Sequence, residues 1–370
     1  MAGRSRAGGC RKLLQSLFTI AVFAIVLLIG GGYFFWRALT FPYKGYPQPV
    51  RDVEVRKGQR TAAILHHLQE RGILRDEYIP LIYIKLFRYG ESIKAGIYEF
   101  SKPISAADVV EKLIRGDVIL KTVTIREGLD RFIIGRLFAA EGFGRANLWD
   151  KLTADPELIR DVAPQASTLE GYLFPDTYKF NPGTPPQTIV LAMVQNFRKH
   201  FAAEMPYITT GLNLHQTVTL ASIVETEAKL PQERPLVASV YLNRLRHNML
   251  LGADPTVIYA VKLAHRWDAN IRKADLDIDS PYNTYREHGL PPGPVANPGL
   301  ASLHAAAQPA NSPFLYFVAR HDGSHAFSTN LAEHNRNVQM YQVQWYRDQR
   351  ALNGGAAPPT NTYGPNPRTH

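Results

Sequence analysis

The sequence predicts an α+β protein in three parts: an N-terminal transmembrane helix, a small α+β module, and a larger mixed α/β domain rich in helices. Three observations support this class. Residues 13–36 form an uncharged apolar run, residues 51–120 alternate short strand and helix patterns, and residues 211–347 contain well-marked helices and a hairpin signal. The composition, with 45% apolar and 20% charged residues, excludes an intrinsically disordered chain.

The net charge does not indicate a nucleic-acid partner. The 42 Lys and Arg against 32 Asp and Glu give +10, which alone favours an anionic ligand. However, residues 1–12 hold four basic side chains and no acid, whereas residues 211–347 hold 12 basic and 11 acidic side chains. A nucleic-acid enzyme needs its positive excess on the working domain, so we expect no nucleic-acid binding.

The apolar run is long enough to cross a bilayer. Residues 13–36 would form a helix of about 36 Å, longer than the roughly 30 Å hydrocarbon core. Four basic residues precede the run and Arg37 alone directly follows it. By the positive-inside rule, residues 1–12 are a cytoplasmic tail and residues 38–370 lie outside. The alternative is a cleaved signal peptide, but the run is long and ends in bulky aromatic residues instead of a small-residue cleavage site.

The segment after the apolar run is expected to be a stiff linker, residues 37–50, followed by the small module, residues 51–120. Three prolines lie in the linker. Predicted strands are Val53–Val55 and Ile97–Phe100, and predicted helices are Arg60–Arg71 and Ser105–Arg115. The last helix is the best marked, with a capping box from Ser105 to Asp108 and a C-cap at Gly116. Composition leaves open whether the module is a structural spacer or binds a ligand.

Residues 121–347 are expected to form the larger domain, with its core in residues 211–347. It begins with a strand at Lys121–Ile125 and continues through helical segments. The aromatic loop Leu169–Tyr178, with Glu170 and Asp176, is typical either of a sugar groove or of a packed turn, and the turn is favoured. Residues 348–370, rich in Gly, Ala, Pro, Thr and Asn, are expected to be a disordered tail.

The sequence of the core of the larger domain contains clear signals for where helices and strands begin and end. The predicted elements are helices at Leu214–Ala228, Glu233–Asn248 and Asp254–Val261, a loop at Ser280–Gly299, a hairpin with strands at Phe314–Ala319 and His325–Ser328, and a long helix from Leu331. Asp254 is expected to cap the third helix and Asn297 the helix after the loop.

Glu225 is the first candidate for chemistry. In the first core helix, it follows Val218 and Ala221 at the spacing of one helix face, so its carboxylate lies along an apolar stripe. Loss of water raises the pKa of a carboxyl group and prepares a general acid. The alternative is a structural ion pair with Arg244 or Arg246. Glu227 lies about 200° further round the helix, so the two carboxylates do not face each other as in an ordinary glycosidase pair.

The chain resembles the endolytic murein transglycosylases, the YceG-like (MltG) family, through an ordered series of motifs over about residues 51–346. These motifs are Val123–Gly128, Leu169–Tyr178, Leu220–Glu227, Val237–Leu245, Asp254–Tyr259, Ser280–Tyr285, Gly289–Pro294 and Asn297–Gly299. An ordered series is far more specific than any one motif, since a single Leu-Pro-Pro-Gly would mean little.

The resemblance implies an inner-membrane protein with one anchor, a LysM-like module and a periplasmic catalytic domain. Members cut β-1,4 bonds between N-acetylmuramic acid and N-acetylglucosamine in nascent glycan strands, leave 1,6-anhydro ends and so terminate elongation. By its position in the motif, Glu225 matches the family's catalytic glutamate. One acid suffices because the 6-hydroxyl of the sugar, instead of water, captures the cationic centre, in agreement with the lack of a second carboxylate on that face.

Further site residues are weaker predictions from the same resemblance. Tyr282, Asn283, Thr284 and Tyr285, together with Ser328, Thr329 and Asn330, are predicted to bind substrate, with Thr284 orienting Glu225. For each of them, turn formation or helix capping is the alternative. Glu227 and Asp254 are assigned supporting roles, and for Glu227 a salt bridge is favoured over chemistry.

No metal or cofactor is expected. The four histidines near the C-terminal end, His304, His321, His325 and His334, do not form a metal-binding pair of the H-E-x-x-H kind. The expected partners are peptidoglycan strands, the membrane and, from the family's setting, glycan polymerases and transpeptidases of the elongation or division machinery. The rival hypothesis is a non-catalytic, periplasmic peptidoglycan-binding scaffold.

Overall fold

The computed structural model describes residues 6–345, 347 and 348, and the surroundings of side chains from residue 15 onward. The chain divides after Lys121 into two compact units, here called unit 1 and unit 2. Within the described residues, helices predominate and the strands form three two-stranded sheets. The predicted mixed class is therefore confirmed. The first five residues of the predicted tail, and residues 349–370, lie outside the described residues.

Unit 1 begins with one long helix, α1 (Arg6–Thr40). Its segment Gln15–Thr40 has a mean hydropathy of 2.3, and among the described residues it is the one helix long and apolar enough to cross a membrane. Side chains 15–34 are all exposed. The sequence prediction of an apolar N-terminal helix is confirmed.

The remainder of unit 1 is a small sheet covered by helices. Its elements are β1 (Arg51–Val55), α2 (Thr61–Glu70), α3 (Tyr78–Phe87), β2 (Gly96–Phe100) and α4 (Ala106–Arg115). The strands are antiparallel, with Val53 opposite Tyr98. Both side chains are buried in a core with Leu65, Leu68 and Leu113. Ser105 accepts a hydrogen bond from the Asp108 amide and Gly116 is left-handed, as predicted, whereas α3 was not predicted.

Residues 41–50, part of the predicted linker, also contact the rest of unit 1. Tyr43 forms a bridge with Ile104, and the Gly45 amide donates to the Gly72 carbonyl. Tyr46 is buried and its hydroxyl donates to the Phe100 carbonyl at 2.7 Å. Aromatic residues between the prolines therefore attach this segment to the core of unit 1.

The first half of unit 2 is a helical layer beside a short sheet. Its elements are β3 (Lys121–Thr124), α5 (Arg131–Ala140), α6 (Ala146–Ala154), β4 (Thr177–Phe180) and α7 (Pro186–Glu204), with 3₁₀ turns at Glu157–Ile159 and Met205–Tyr207. Strands β3 and β4 pair. The loop before β4 is a packed turn: Leu169, Tyr172 and Leu173 are buried, and the carboxylate of buried Glu170 accepts from the Arg131 amide and the Asn297 amide group.

The second half of unit 2 surrounds one buried helix. Its elements are α8 (Leu214–Glu227), α9 (Arg234–Arg246), α10 (Asp254–Leu263), α11 (Leu300–Ala307), β5 (Tyr316–Ala319), β6 (His325–Ser328) and α12 (Leu331–Val338), which continues as a π-helix over Gln339–Gln344. Two 3₁₀ turns lie at Pro231–Glu233 and Lys273–Asp277. Helix α8 is buried from His215 to Val224 apart from its exposed Gln216, and α9, α10 and α11 pack against it. The predicted hairpin is confirmed as the antiparallel pair β5–β6.

Two predicted helix caps are wrong. Asp254 is the first residue of α10 and Ala253 holds the cap position. The Asp254 carboxylate instead accepts a hydrogen bond from the Tyr285 hydroxyl. Gly299 holds the cap position of α11. The Asn297 side chain instead accepts from the Leu173 amide and donates to the Leu129 carbonyl, so it joins distant segments of unit 2.

Candidate active site

The C-terminal turn of α8 carries two glutamates that face different spaces. The helix is fixed at its start by a capping box between Asn213 and Gln216. At its end, Glu225 lies in an open groove of about 610 Å³ and Glu227 in a separate cavity of about 510 Å³. Two residues of helix separate the side chains by about 200°, which explains their divergence.

Glu225 is held by an ion pair and a backbone amide. Arg234 donates from Nη2 to Glu225 Oε1 at 2.8 Å, and the Gly299 amide donates to Oε2 at 3.0 Å. The side chains of Glu225 and Arg234 are 5% and 10% exposed. The guanidinium also lies 3.4 Å from Glu127. The predicted ion-pair partners, Arg244 and Arg246, are wrong, because the start of α9 and not its end meets Glu225.

Burial raises the pKa of Glu225, as its apolar helix face predicts. The Gly299 amide and the Arg234 guanidinium oppose this rise because both stabilise the ionised form, while the Glu127 charge adds to the rise. Both oxygens of the carboxylate are already in hydrogen bonds with protein groups. This arrangement is typical of a buried structural ion pair.

Glu227 lies in a cavity formed by helices and the hairpin. Its walls come from the end of α8, from α9, α10 and α12, and from β5, β6 and nearby loops. The polar side chains that line it include Glu227, Tyr241, Arg244, Asp254, Lys262, Tyr285, His321, His325 and His334. We call this space the Glu227 cavity.

The carboxyl group of Glu227 retains its proton near neutral pH. Burial raises its pKa to about 8, and the nearby charge of Asp254 contributes to the rise. Tyr241 opposes the rise, because its buried hydroxyl donates to Glu227 Oε1 at 3.2 Å. In the part of the chain that the structure describes, no salt bridge engages Glu227, so the salt bridge expected for it belongs to Glu225.

Asp254 brings a second carboxyl group into the same cavity. Burial raises the pKa of Asp254, and the Tyr285 hydroxyl, which opposes the rise, donates to its Oδ1 at 2.6 Å. The nearby Arg244 is held by two carbonyls, those of Leu251 and Leu315, each at 2.7 Å. The sequence indicated no second carboxylate opposite Glu225. The structure supplies one beside Glu227, from a different helix.

The loop residues predicted to bind substrate have mostly structural partners. Asn283 is fully buried and its amide donates to the Leu276 and Ile278 carbonyls. The Thr284 hydroxyl accepts from the Ala253 amide and pairs with Thr256, and the hydrogen bonds of Glu225 do not include it. Tyr282 packs on Tyr259 with ring centroids 5.0 Å apart, and it does not line the Glu227 cavity. Tyr285 does line it.

The hairpin residues predicted to bind substrate also have structural partners. Ser328 is buried and accepts from the Asn337 side chain at 2.9 Å. Thr329 donates from its amide to the Glu333 carboxylate. Asn330 caps α12 by accepting from the Glu333 amide. The alternative stated for this group, helix capping, is correct for Asn330.

Sequence reasoning missed the Tyr241 and Arg234 contacts and the histidines of the cavity wall. His325 pairs with Glu233 at 2.7 Å, and burial next to Arg244 lowers the pKa of His334. Within the described residues, no group of three potential ligands is placed to hold a metal ion. The sequence contains a signal for the Tyr241 contact, since a tyrosine on the apolar face of a helix needs a polar partner for its hydroxyl group.

A buried carboxyl group with a raised pKa borders a cavity, an arrangement typical of acid–base active sites. A sequence model of the YceG-like family matches residues 53–340. The chain belongs to the YceG-like family. Its predicted resemblance is thereby confirmed.

Individual relatives agree with this assignment. The chain is 31% identical to the endolytic murein transglycosylase of Bacillus subtilis, over 85% of this chain and 91% of that protein. It is 29% identical to the protein of the same name from Streptococcus pneumoniae serotype 2, over 85% of this chain and 63% of that longer protein. A crystal structure of a YceG-like protein from Listeria monocytogenes is 31% identical, with a TM-score of 0.54 over 78% of this chain and 99% of that one.

Proposed function

We propose that the protein is an endolytic peptidoglycan lytic transglycosylase. It would cleave the β-1,4 bond between N-acetylmuramic acid and N-acetylglucosamine in nascent strands, form 1,6-anhydro ends and terminate elongation. Family membership and the names of two relatives support this reaction. The observation that carries the proposal is the position of Glu227, whose carboxyl group borders a cavity of about 510 Å³, where burial raises its pKa to about 8.

We assign the general acid to Glu227, and this replaces the sequence-based choice of Glu225. A general acid must hold a proton near neutral pH and reach the leaving oxygen. Glu225 has both oxygens engaged and a buried arginine partner. Among the described residues, Glu227 has one side-chain hydrogen bond, from Tyr241, and it faces the cavity. Glu225 therefore becomes a supporting residue in the proposal.

The chemistry needs one carboxyl group used twice. Protonated Glu227 donates its proton to the glycosidic oxygen as the bond from that oxygen to the muramic acid C1 breaks. The 6-hydroxyl oxygen of the same sugar then attacks the cationic C1, and the Glu227 carboxylate takes the hydroxyl proton. The acid is restored and the product carries a 1,6-anhydro ring. Tyr241 stabilises the carboxylate between the two steps.

Hydrolysis is the second candidate reaction, because of Asp254. In inverting glycosidases a second carboxylate activates a water opposite the acid. Asp254 borders the same cavity as Glu227 and influences its pKa. We rank this reaction second because the Tyr285 hydroxyl already engages Asp254 at 2.6 Å.

We further propose that α1 anchors the enzyme in the inner membrane, with the N-terminus in the cytoplasm and unit 2 in the periplasm. The apolar length of α1 and the basic residues before it support this topology. Residues 51–120 would act as a LysM-like module, which their separate core supports, and residues 121–347 as the catalytic domain. Glycan polymerases and transpeptidases of the wall-synthesis machinery are proposed partners.

The test is mass spectrometry of products from uncrosslinked glycan strands incubated with the full chain in detergent. Wild type should produce anhydro ends, Glu227→Gln should lose about 10²-fold or more in rate, and the matched variant Glu225→Gln should retain most of it. Thermal denaturation of each variant verifies folding. Loss confined to Glu225→Gln would contradict the assignment of the acid.

The form of the products separates the reactions. Reducing ends without anhydro ends would establish hydrolysis, for which Asp254 is the candidate base. Intact strands that still bind to wild type would favour the peptidoglycan-binding scaffold.

A further inference from the structure

Helix α3 of unit 1 carries an exposed apolar face. Its sequence is almost entirely apolar, and among its residues Tyr78, Leu86 and Phe87 are 66%, 68% and 63% exposed, while Tyr89, just beyond its end, is 91% exposed. Ile82 is exposed as well. Folded monomers seldom expose several large apolar side chains together without a function.

Three of the exposed residues lie on one side of the helix, whereas Phe87 lies about 100° further round than Leu86. Tyr78, Ile82 and Leu86 are spaced by four residues and so form one line along its surface. The other side carries Leu81 and Ile84, which pack on the core of unit 1. Helix α3 is therefore fixed by its inner side, and the outer side is presented as a stable apolar surface.

Helix α3 packs against α1, the proposed membrane anchor. Between residues 15 and 40, the side chains of α1 that are not exposed are Phe35, Ala38 and Leu39, all in the last two turns. Unit 1 therefore meets α1 at the end where the helix would leave the bilayer. The apolar face of α3 belongs to the part of unit 1 next to that exit.

The chemistry of the face matches a lipid surface. Helix α3 contains one charged residue, the exposed Lys85, and no acid. Tyrosine and other aromatic side chains favour the headgroup region of a bilayer, and lysine favours anionic phosphates there. A short apolar helix of this kind is long enough to lie in the interface but too short to cross the membrane.

We propose that the outer face of α3 lies in the headgroup region of the outer leaflet of the same membrane, so that unit 1 is attached both by α1 and by α3. This inference rests on the proposed anchor. The second attachment restricts the tilt of unit 1 about the end of α1, because two separate contacts define an orientation that one helix alone leaves free.

The test uses the full chain in vesicles of phosphatidylethanolamine and phosphatidylglycerol. In a Cys10→Ser background, single cysteines replace Leu86, Tyr89, Leu28 in the middle of α1, or Lys57 in the exposed turn after β1, and each is labelled with an environment-sensitive fluorophore. Quenching by lipid-borne nitroxide and by aqueous iodide is compared. Labels at Leu86 and Tyr89 should be quenched by the lipid nitroxide several-fold more than the label at Lys57, with the reverse order for iodide.

The outcomes separate this inference from the anchor. A label at Leu28 in lipid with labels at Leu86 and Tyr89 in water overturns the inference and leaves the anchor intact. A label at Leu28 in water overturns the anchor itself. Labels at Leu86 and Tyr89 shielded from both quenchers identify a protein contact, such as a second copy, and also overturn the inference.

Discussion

The Glu225 groove and the Glu227 cavity lie at the end of one helix and treat two identical side chains in opposite ways. In the groove, a buried arginine and a backbone amide stabilise the charged form of the carboxylate and oppose the rise in pKa that burial causes. In the cavity, burial and a neighbouring carboxyl group favour the protonated form, with a tyrosine hydroxyl as the hydrogen-bond partner of Glu227. The same residue type thus serves structure at one position and, in our proposal, chemistry at the other.

This contrast shows that burial alone does not identify an acid catalyst. Burial raises the pKa of both glutamates. The two glutamates differ in how far their negative charge is compensated. Glu225 forms an ion pair that joins α8 to the start of α9, whereas the charge of Glu227 is less compensated and Glu227 borders a space that a ligand can enter. A buried carboxyl group whose charge is only partly offset, as that of Glu227 is by Tyr241 and the nearby Arg244, is costly to ionise, and that cost favours its protonated form.

For the Glu225 groove, the largest effect that we expect is a loss of folding stability. Arg234→Met removes the partner of Glu225 and leaves a buried charge, so the free energy of unfolding should fall by about 3–5 kcal/mol. Urea denaturation followed by tryptophan fluorescence measures it. The double variant Arg234→Met with Glu225→Met should recover much of the loss, because no unpaired charge remains. A loss below about 1 kcal/mol in the single variant would mean a solvated, surface-like pair.

The pH dependence of activity tests the role of Glu227 in the cavity. A general acid works only while protonated, so kcat/KM should decline as pH rises through about 8, the pKa of Glu227. Asp254→Asn removes a negative charge that raises this pKa, so the decline should move to lower pH. Glu225→Gln should leave the decline in place. If Glu225→Gln moved it and Asp254→Asn did not, the assignment of Glu227 would be wrong.

Local signals in the sequence predicted local structure well. The cap from Ser105 to Asp108, the left-handed Gly116 and the hairpin β5–β6 depend on neighbouring residues, and all three were predicted. The helix phase also placed Glu225 and Glu227 on different faces. It could not tell which face meets a cavity, because the cavity walls come from α9, α10, α12 and the hairpin, which are distant along the chain.

The structural partners of the predicted loop residues have one physical origin. The family resemblance predicts that Asn283 and Thr284 bind substrate. A long loop with buried backbone also needs polar partners of its own, and these two residues satisfy carbonyls and amides of α10 and its surroundings. Sequence spacing cannot separate these two uses, since both require the same residue types in the same loop.

The smallest expected effect concerns the tyrosine that distinguishes the cavity from the groove. Tyr241→Phe removes the hydroxyl that donates to Glu227 and lowers its pKa, so the alkaline decline of kcat/KM should move to higher pH, opposite to the effect of Asp254→Asn. The loss of one hydrogen bond to the carboxylate, about 1 kcal/mol, should reduce kcat about fivefold. Tyr282→Phe is the matched control, because Tyr282 does not line the cavity and should leave the profile unchanged. A profile that stays in place in Tyr241→Phe would mean that Tyr241 only packs against Glu227, and the pKa of Glu227 would then depend on burial and on the charges of Asp254 and Arg244.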